Sequence, residues 1–270
     1  MSEIYDFYNA GAEIGRLERG LGKVEFYRTK EILTEYIKGG SVIYDVGGGI
    51  GMYSAWLAKR GNEVHLLELA ENAVNYAKEN MMSDCEFIAE TSDARHIERP
   101  DNSADVVLLM GPLYHLQNVE DRAAALNEAY RVLKDGGLLI AAGISKFSTT
   151  TWALSVYGDG NNYIDAPVFF YMLRGEITTG NHNRPKEYPY LIAESYFATP
   201  KSFSDEIRKA GFEIINFHAV EGCVWFTPCF DEKWEDKASR ERLLEIIHLT
   251  EHDEEIVGMS PHFLVAARKN

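Results

Sequence analysis

Hydrophobic and polar positions alternate between two periods along this chain. Short apolar runs rich in β-branched residues predict strands, and apolar residues every three or four positions predict helices. The predicted strands cover residues 42–46, 63–68, 86–90, 104–110, 137–144, 212–220 and 262–267. The predicted helices cover residues 51–60, 71–80, 120–133, 200–210 and 232–250. This alternation predicts an α/β fold with a doubly wound, Rossmann-like parallel sheet between two layers of helices.

Several segments depart from the alternating pattern. Residues 1–40 show helical spacing with a break near Gly20–Gly22, which predicts an N-terminal helical cover. The core is then residues 41–145, interrupted by residues 146–198 and completed by residues 199–270. Asp135–Gly137 predicts a helix C-cap and turn before a strand. The strand over 212–220 is expected to continue through a bulge as far as Trp225.

The segment 146–198 is an aromatic-rich insertion. Its aromatic residues include Phe147, Trp152, Tyr157, Tyr163, Phe169, Phe170, Tyr171, Tyr188, Tyr190 and Tyr196. Many aromatic side chains in an irregular segment suit an apolar lid that covers a bound molecule. The alternative is a satellite core or a dimer surface.

Charge and composition narrow the function classes. The 270 residues contain 42 Asp and Glu against 27 Lys and Arg, a net charge of −15. A nucleic-acid partner is disfavoured because phosphate binding requires a basic surface. Three cysteines, no signal-like start and no apolar run of about 20 residues lead us to expect a cytoplasmic protein without membrane attachment.

A glycine loop follows the first predicted strand. The strand ends at Asp45 and Val46, and the loop places glycines at positions 47, 49 and 51. Such a loop lets a ligand approach the backbone at the start of a helix. A dinucleotide fingerprint requires a glycine at the sixth position, which here is Met52. The spacing therefore disfavours a NAD-dependent oxidoreductase.

Polar residues also lie at the carboxyl ends of the next strands, where open α/β sheets bind their ligands. Glu68 lies at the position of a carboxylate that accepts hydrogen bonds from ribose hydroxyls. The alternative is a solvated carboxylate at the start of the next helix. Asp93 and Ala94 end the third strand, where Asp93 either accepts a hydrogen bond from a base or begins a turn. The fourth strand leads into the loop Met110–Leu116.

The order and spacing of these motifs resemble class I S-adenosylmethionine (SAM) methyltransferases over about residues 25–145. The resemblance implies a seven-stranded, mostly parallel sheet with one antiparallel strand. It also implies SAM as donor and S-adenosylhomocysteine (SAH) as product. The implied donor-binding residues are Arg28, Asp45, Gly47, Gly49, Gly51, Glu68, Leu69, Asp93, Ala94 and Met110. For Arg28, a pair with Glu25 on the same helix is the alternative to the donor carboxylate.

The candidate catalytic residues are Tyr114 and His115, in the loop that faces the expected acceptor. A histidine can take a proton from a hydroxyl or an ammonium group, but it can also pack and bond to backbone. His248 and His252 match a zinc-peptidase pattern by spacing alone, so we predict no metal site.

These features lead us to expect methyl transfer to an oxygen, nitrogen or carbon atom of a small molecule, by a monomer or homodimer. The alternatives are a non-catalytic SAM-binding regulator and a protein or RNA methyltransferase. The loop after the fourth strand, Met110–Leu113, lacks the Asn/Asp-Pro-Pro-aromatic motif of amino-directed nucleic-acid enzymes. No Pro-Cys nucleophile motif of cytosine methyltransferases is present either.

Overall fold

A seven-stranded sheet organises the protein. The computed structural model describes residues 3–155, 160 and 162–270. The strands of the sheet are β1 (Val42–Val46), β2 (Glu63–Glu68), β3 (Ile88–Thr91), β4 (Ala104–Leu109), β5 (Leu133–Ile144), β8 (Phe212–Ala219) and β9 (His262–Lys269). Their order is β3-β2-β1-β4-β5-β9-β8, and β9 alone is antiparallel to its neighbours in this sheet of the described chain. The predicted mostly parallel sheet with one antiparallel strand is confirmed.

Helices cover both faces of the sheet. They are α1 (Glu3–Asn9), α2 (Gly22–Tyr36), α3 (Met52–Ala58), α4 (Glu71–Asn80), α5 (Pro112–His115), α6 (Val119–Val132), α7 (Ser148–Leu154), α8 (Pro167–Thr179), α9 (Pro200–Lys209), α10 (Phe230–Glu235), α11 (Lys237–Thr250) and α12 (Glu254–Met259). Apolar side chains of α2, α3 and α4 pack on one face, and those of α6, α9 and α12 on the other. Burial on both faces explains why β1 and β4 are nearly continuous apolar runs.

The side on which the chain adds successive strands to the sheet changes between β1 and β4. From β1 it proceeds outward to β2 and β3, and from β4 it proceeds in the opposite sense to β5. The loops that follow β1 and β4 therefore separate and leave a crevice at the carboxyl ends of these strands.

The helix C-cap predicted at Asp135–Gly137 is wrong, although Gly136 does adopt a left-handed turn conformation, with a φ of +74°. Helix α6 ends at Val132, and β5 begins immediately at Leu133, which pairs with Ala104. The pairing register then shifts before Val106, so these residues form an irregularity within the strand rather than a helix cap. Burial of Leu133 in the core holds this segment on the sheet.

The C-terminal part differs from the prediction at two places. Strand β8 ends at Ala219, and Trp225 lies in a short 3-10 helix, Val224–Phe226, instead of a continued strand. The single helix predicted over 232–250 is two helices, α10 and α11. They meet at Asp236, whose carboxylate accepts a hydrogen bond from the Ser239 backbone at 2.8 Å and caps α11.

The insertion folds as α7, a 3-10 turn, α8 and a two-stranded hairpin of β6 (Asn181–His182) and β7 (Ser195–Tyr196). Trp152, Tyr163, Phe169 and Tyr188 pack against one another as a small core. Tyr171 is 78% exposed. Tyr157, which was among the aromatic residues considered for the lid, lies outside the described residues.

Within the described residues, no helix has both the length and the apolar character needed to cross a membrane.

Candidate functional site

A deep cavity occupies the crevice at the carboxyl ends of β1, β2 and β4, and α1 and α5 form part of its wall. Most of the residues predicted to form the site line it together. They are Asp45, Gly47, Gly49, Glu68, Leu69, Asp93, Ala94, Met110, Tyr114 and His115. Gly51 and Arg28 are not among the lining residues. Residues from distant parts of the sequence thus meet in the crevice between the loops that follow β1 and β4.

The glycine loop brings backbone to the cavity surface. Gly47 has a φ of +68°, and a Cβ there would lie 2.5 Å from Cγ of Pro112. A larger residue would therefore be strained and would collide with the loop that follows β4. Gly51 has a different role, because a Cβ there would approach Leu66 and Phe87 in the core.

Two buried carboxylates border the glycine loop. Asp45 is fully buried, its Oδ2 accepts a hydrogen bond from the Ser54 hydroxyl at 2.6 Å, and its Oδ1 has no hydrogen-bond partner among the described residues. Burial raises the pKa of Asp45 to about 6. Glu68 accepts hydrogen bonds from the backbone N–H groups of Gly49 and Ala70, at 2.9 and 2.8 Å. The end of β2 is thereby tied to the loop after β1.

A third carboxylate lies at the far end of the cavity. Asp93 is held by the Arg95 guanidinium at 2.6 Å, and this hydrogen bond lowers the pKa of Asp93. Arg95 also contacts Asp121 at 3.2 Å. Ser92 and Ala94 line the cavity beside Asp93, which places an acidic, hydrogen-bonding edge next to main-chain groups.

Arg28 lies elsewhere, contrary to both sequence-based alternatives. It is 1% exposed, and its guanidinium binds the carboxylates of Glu31 and Glu251. Glu25, the other expected partner, is instead bound by Arg16 through both carboxylate oxygens, at 2.5 and 2.9 Å. Arg16 is also a cavity-lining residue. Arg28 on α2 and Arg16 before this helix thus bind different glutamates through tertiary contacts, which sequence spacing does not reveal.

His115 is held by two other segments. The Tyr8 hydroxyl lies 2.5 Å from its Nε2, and the Ser195 hydroxyl lies 3.3 Å from its Nδ1. Burial lowers the pKa of His115 to about 4, so the ring is neutral at neutral pH. Tyr114 lies next to it on the cavity wall, and burial raises the pKa of its phenol. His115 therefore links α1, α5 and the insertion at one point.

Sequence reasoning missed a row of charged residues on the cavity wall. Glu13 accepts from Arg16 at 2.9 Å, and Arg16 in turn binds Glu25. Beyond Glu25, His262 at the start of β9 also lines the cavity. These residues come from the segment before α2, from α2 itself and from β9. No local motif unites them, so only the folded chain identifies the group.

Two clusters in the described chain have ligand atoms close enough to hold a metal ion: His218, Glu251 and His252, and Glu25, Glu221 and His262. In each cluster an arginine already binds one of the carboxylates, Arg28 on Glu251 and Arg16 on Glu25. A guanidinium beside the ligand oxygens opposes a second cation by electrostatic repulsion. His248, part of the zinc-like spacing, is on the surface and contacts Glu31 at 3.1 Å.

The chemistry of the cavity fits SAM. SAM presents a sulfonium and an ammonium, which suit the unpartnered oxygen of Asp45 and the acidic surroundings. Its ribose hydroxyls suit Glu68, a carboxylate with remaining acceptor capacity, and its adenine amino group suits Asp93. The backbone of the glycine loop leaves space for a close approach.

Comparison with known proteins agrees with this chemistry. Residues 44–141 match the family model described as a methyltransferase domain. The chain is 29% identical over 236 residues to the ubiquinone/menaquinone biosynthesis C-methyltransferase of Rickettsia akari, covering 83% of this chain and 86% of that protein. It is 31% identical over 196 residues to the protein of the same name from Rickettsia bellii, covering 68% and 73%.

Solved structures share the fold. A SAM-dependent methyltransferase from Methanosarcina mazei superimposes with a TM-score of 0.60 at 18% sequence identity, covering 88% of this chain and 96% of that one. At this identity the likeness speaks for the fold alone.

Proposed function

We propose that this chain, which belongs to the class I SAM-dependent methyltransferases, binds SAM in the cavity above β1 and β4 and methylates a small molecule that enters beside Tyr114. The observation that carries the proposal is the meeting of Asp45, the glycine loop and Glu68 at one cavity. An unpartnered, fully buried carboxylate oxygen in this place is costly unless a ligand donates to it or neutralises it.

The donor supplies a methyl group already activated by a positive sulfur, so the protein mainly has to position the reactants and exclude water. Glu68 would hold the ribose, and Asp93 with the backbone at Ala94 would hold the adenine. Asp45, Gly47, Gly49 and Met110 would surround the methionine portion. Tyr8 would help to close the cavity, because its contact with His115 joins α1 to α5.

The acceptor is a small molecule, and the names of the relatives make a carbon atom the first candidate for its methylated position. Both Rickettsia proteins are named C-methyltransferases. Residues 146–198 stay our prediction for the segment that governs acceptor choice. Glu194 of this segment lines the cavity, and its hairpin supports the loop after β4 through Gln117, whose Nε2 donates to the Ser195 carbonyl at 3.0 Å.

The donor site can be tested by calorimetry with SAM and SAH. Replacing Glu68 by Gln removes the charge that would accept from the ribose, and hydrogen bonds to charged groups contribute about 1.5–3 kcal/mol. We therefore expect the Kd for SAH to rise by about 10- to 100-fold. The control is Glu63→Gln, an exposed carboxylate at the start of the same strand, which should bind SAH as the unmodified protein does.

Catalysis is tested separately from binding. The protein is incubated with methyl-labelled SAM and a small-molecule extract, and labelled products are separated by chromatography. Formation of a labelled small molecule supports the proposal. Binding of SAM and SAH without any labelled product would instead favour a regulatory SAM-binding protein.

A further inference from the structure

The cavity continues past Tyr114 to a second wall formed by the ends of β5, β8 and β9. Ala142, Val220, Leu264 and His262 line this wall. The first three are apolar, and His262 is the polar member of the four, next to the charged row of Glu13, Arg16 and Glu25. This wall lies on the opposite side of β4 from Glu68 and Asp93, the residues assigned to the donor's adenosine.

Glu221 fixes the orientation of His262. The Nδ1 atom of His262 lies 2.7 Å from Oε1 of Glu221, and the backbone N–H of His262 donates to Oε2 at 2.9 Å. The Ser260 hydroxyl also lies 3.1 Å from Oε2. Glu221 is 1% exposed and so is locked in place. When the imidazole is neutral, this arrangement keeps its proton on Nδ1 and leaves a lone pair on Nε2.

The Nε2 atom is available for a ligand. It makes no hydrogen bond to any residue in the described ranges 3–155, 160 and 162–270, whereas the Nδ1 side is occupied by Glu221. The imidazole keeps 25% of its exposure at the cavity wall. His115 differs, because both of its ring nitrogens already contact protein hydroxyls.

A tyrosine hydroxyl adds a further polar group in the same region. Tyr53 is 9% exposed and lines the cavity, and its hydroxyl lies beside the Thr29 side chain, which also lines the cavity. It lies close enough to Glu25 and Arg16 for their charges to influence its pKa. Tyr53 and Thr29 therefore offer hydroxyl groups to a ligand that brings an oxygen or nitrogen.

We propose that His262 is the catalytic base for the acceptor, that Glu221 is its positioning residue, and that the acceptor carries a phenolic or enolic hydroxyl. The proposal rests on the methyltransferase function given above. A hydroxyl of this class binds at Nε2, and ionising it makes the oxygen or the conjugated carbon nucleophilic.

The step is balanced by the groups named. The acceptor hydroxyl gives its proton to Nε2, and an electron pair of the resulting anion forms the bond to the methyl carbon. The pair of the broken carbon–sulfur bond stays on sulfur, so SAH leaves as a neutral thioether. The imidazolium then releases its proton to solvent. Where carbon is methylated, the proton of that carbon moves to the oxygen and restores the hydroxyl, so no further reactant is needed.

The surrounding charges determine the working pH. Burial alone would lower the pKa of His262, but the carboxylates of Glu25 and Glu221 raise it to about 9, with Arg16 opposing them. The carboxylates belong to α2 and to the segment after β8, and Arg16 to the 3-10 turn before α2. Because the base must be neutral to accept a proton, kcat/KM is expected to rise with pH toward about 9. In Glu221→Gln, which lacks one of these carboxylates, the rise of kcat/KM should occur at lower pH.

The probe for a first test is 4-nitrophenol, whose absorbance reports the ionisation of its hydroxyl. It is titrated into the SAH complexes of the unmodified protein, His262→Gln, Glu221→Gln and His248→Gln. We expect the unmodified protein and His248→Gln to increase the ionised fraction, since His262 is a stronger base than this phenolate. The effect should be lost in His262→Gln and reduced in Glu221→Gln. His248 is a matched control, a histidine paired with a glutamate on the surface.

Calorimetry with SAH on the same four proteins separates the two proposals. Equal SAH affinity shows that the variants are folded and that the donor site is intact. Failure of the unmodified protein to bind SAH would sink the proposed function. Normal SAH binding with no ionisation of the probe, or with the same ionisation in His262→Gln, would overturn only the role of His262. For the acceptor found in the extract, His262→Gln is expected to lower kcat/KM by about 10²- to 10⁴-fold.

Discussion

At the scale of single residues, the site depends on how buried charges choose their partners. Arg16 and Arg28 are both arginines of the N-terminal segment and both bind glutamates. Arg16 lies on the cavity wall, whereas Arg28 is enclosed between α2 and the end of α11. The first can act on a ligand and the second can only hold the fold together.

The contrast gives a prediction for Arg28→Met. Removing the guanidinium leaves the buried Glu251 carboxylate without its arginine partner, with His218 still at 3.2 Å, and breaking such a pair costs up to about 3–5 kcal/mol. We expect the free energy of unfolding in urea to fall by this amount, while the folded variant keeps its affinity for SAH. Arg19→Met, at an exposed arginine nearby, is the control. A loss of SAH affinity with unchanged stability would contradict this assignment.

At the scale of elements, the insertion acts on the cavity through its hairpin. Its aromatic residues pack among themselves, and Glu194 is the residue of 146–198 within the described chain that lines the cavity. The hairpin reaches the segment that follows β4, since Ser195 contacts His115 and its carbonyl accepts from Gln117. We therefore expect a change in the aromatic cluster to disturb binding of the acceptor more than binding of SAM.

Phe169 tests this connection. It is fully buried and stacks on Tyr163 with ring centroids 4.7 Å apart, so Phe169→Ala leaves a void that costs about 3–5 kcal/mol of local stability. We expect faster hydrogen exchange in α8 and lower turnover, with nearly unchanged SAH affinity. Tyr171→Ala, at an exposed neighbour, should leave exchange unchanged. An equal loss of turnover and donor affinity would refute a specific role for the insertion in acceptor choice.

At the scale of the whole molecule, acidic residues are in excess, and they surround a histidine whose charge depends on folding. The net charge is −15, yet His262 is held between two carboxylates and its pKa is raised to about 9. A group whose pKa rises on folding stabilises the protein fully below its unfolded pKa, and this contribution is lost as pH rises through the folded value.

Stability should therefore decrease between about pH 6.5 and 9 through His262. A shift of this size corresponds to about 3 kcal/mol, at 1.36 kcal/mol for each pKa unit. Urea unfolding across this range is expected to show a steeper decline for the unmodified protein than for His262→Gln. Parallel curves would mean that the charge of His262 is not coupled to folding.

The sequence by itself determined the type and order of the core elements. The β-branched runs of β1 and β4 and the helical spacing of α4 and α6 are local patterns, and alternation of the two implies a parallel sheet. Residues at the carboxyl ends of such strands meet at one edge whatever the rest of the chain does. For this reason the sequence predicts that Asp45, Glu68 and Asp93 lie close together, and the order and spacing of their motifs carry the resemblance to the methyltransferase family.

Only the tertiary structure decided the partners of the charged residues and the second wall of the cavity. Asp135–Gly137 has turn chemistry but lies within β5 because Leu133 is buried. His262 and Glu221 are separated by 41 positions and meet only because β8 and β9 are neighbours. Contacts of this kind depend on packing across distant segments, and hydrophobic periodicity carries no record of them.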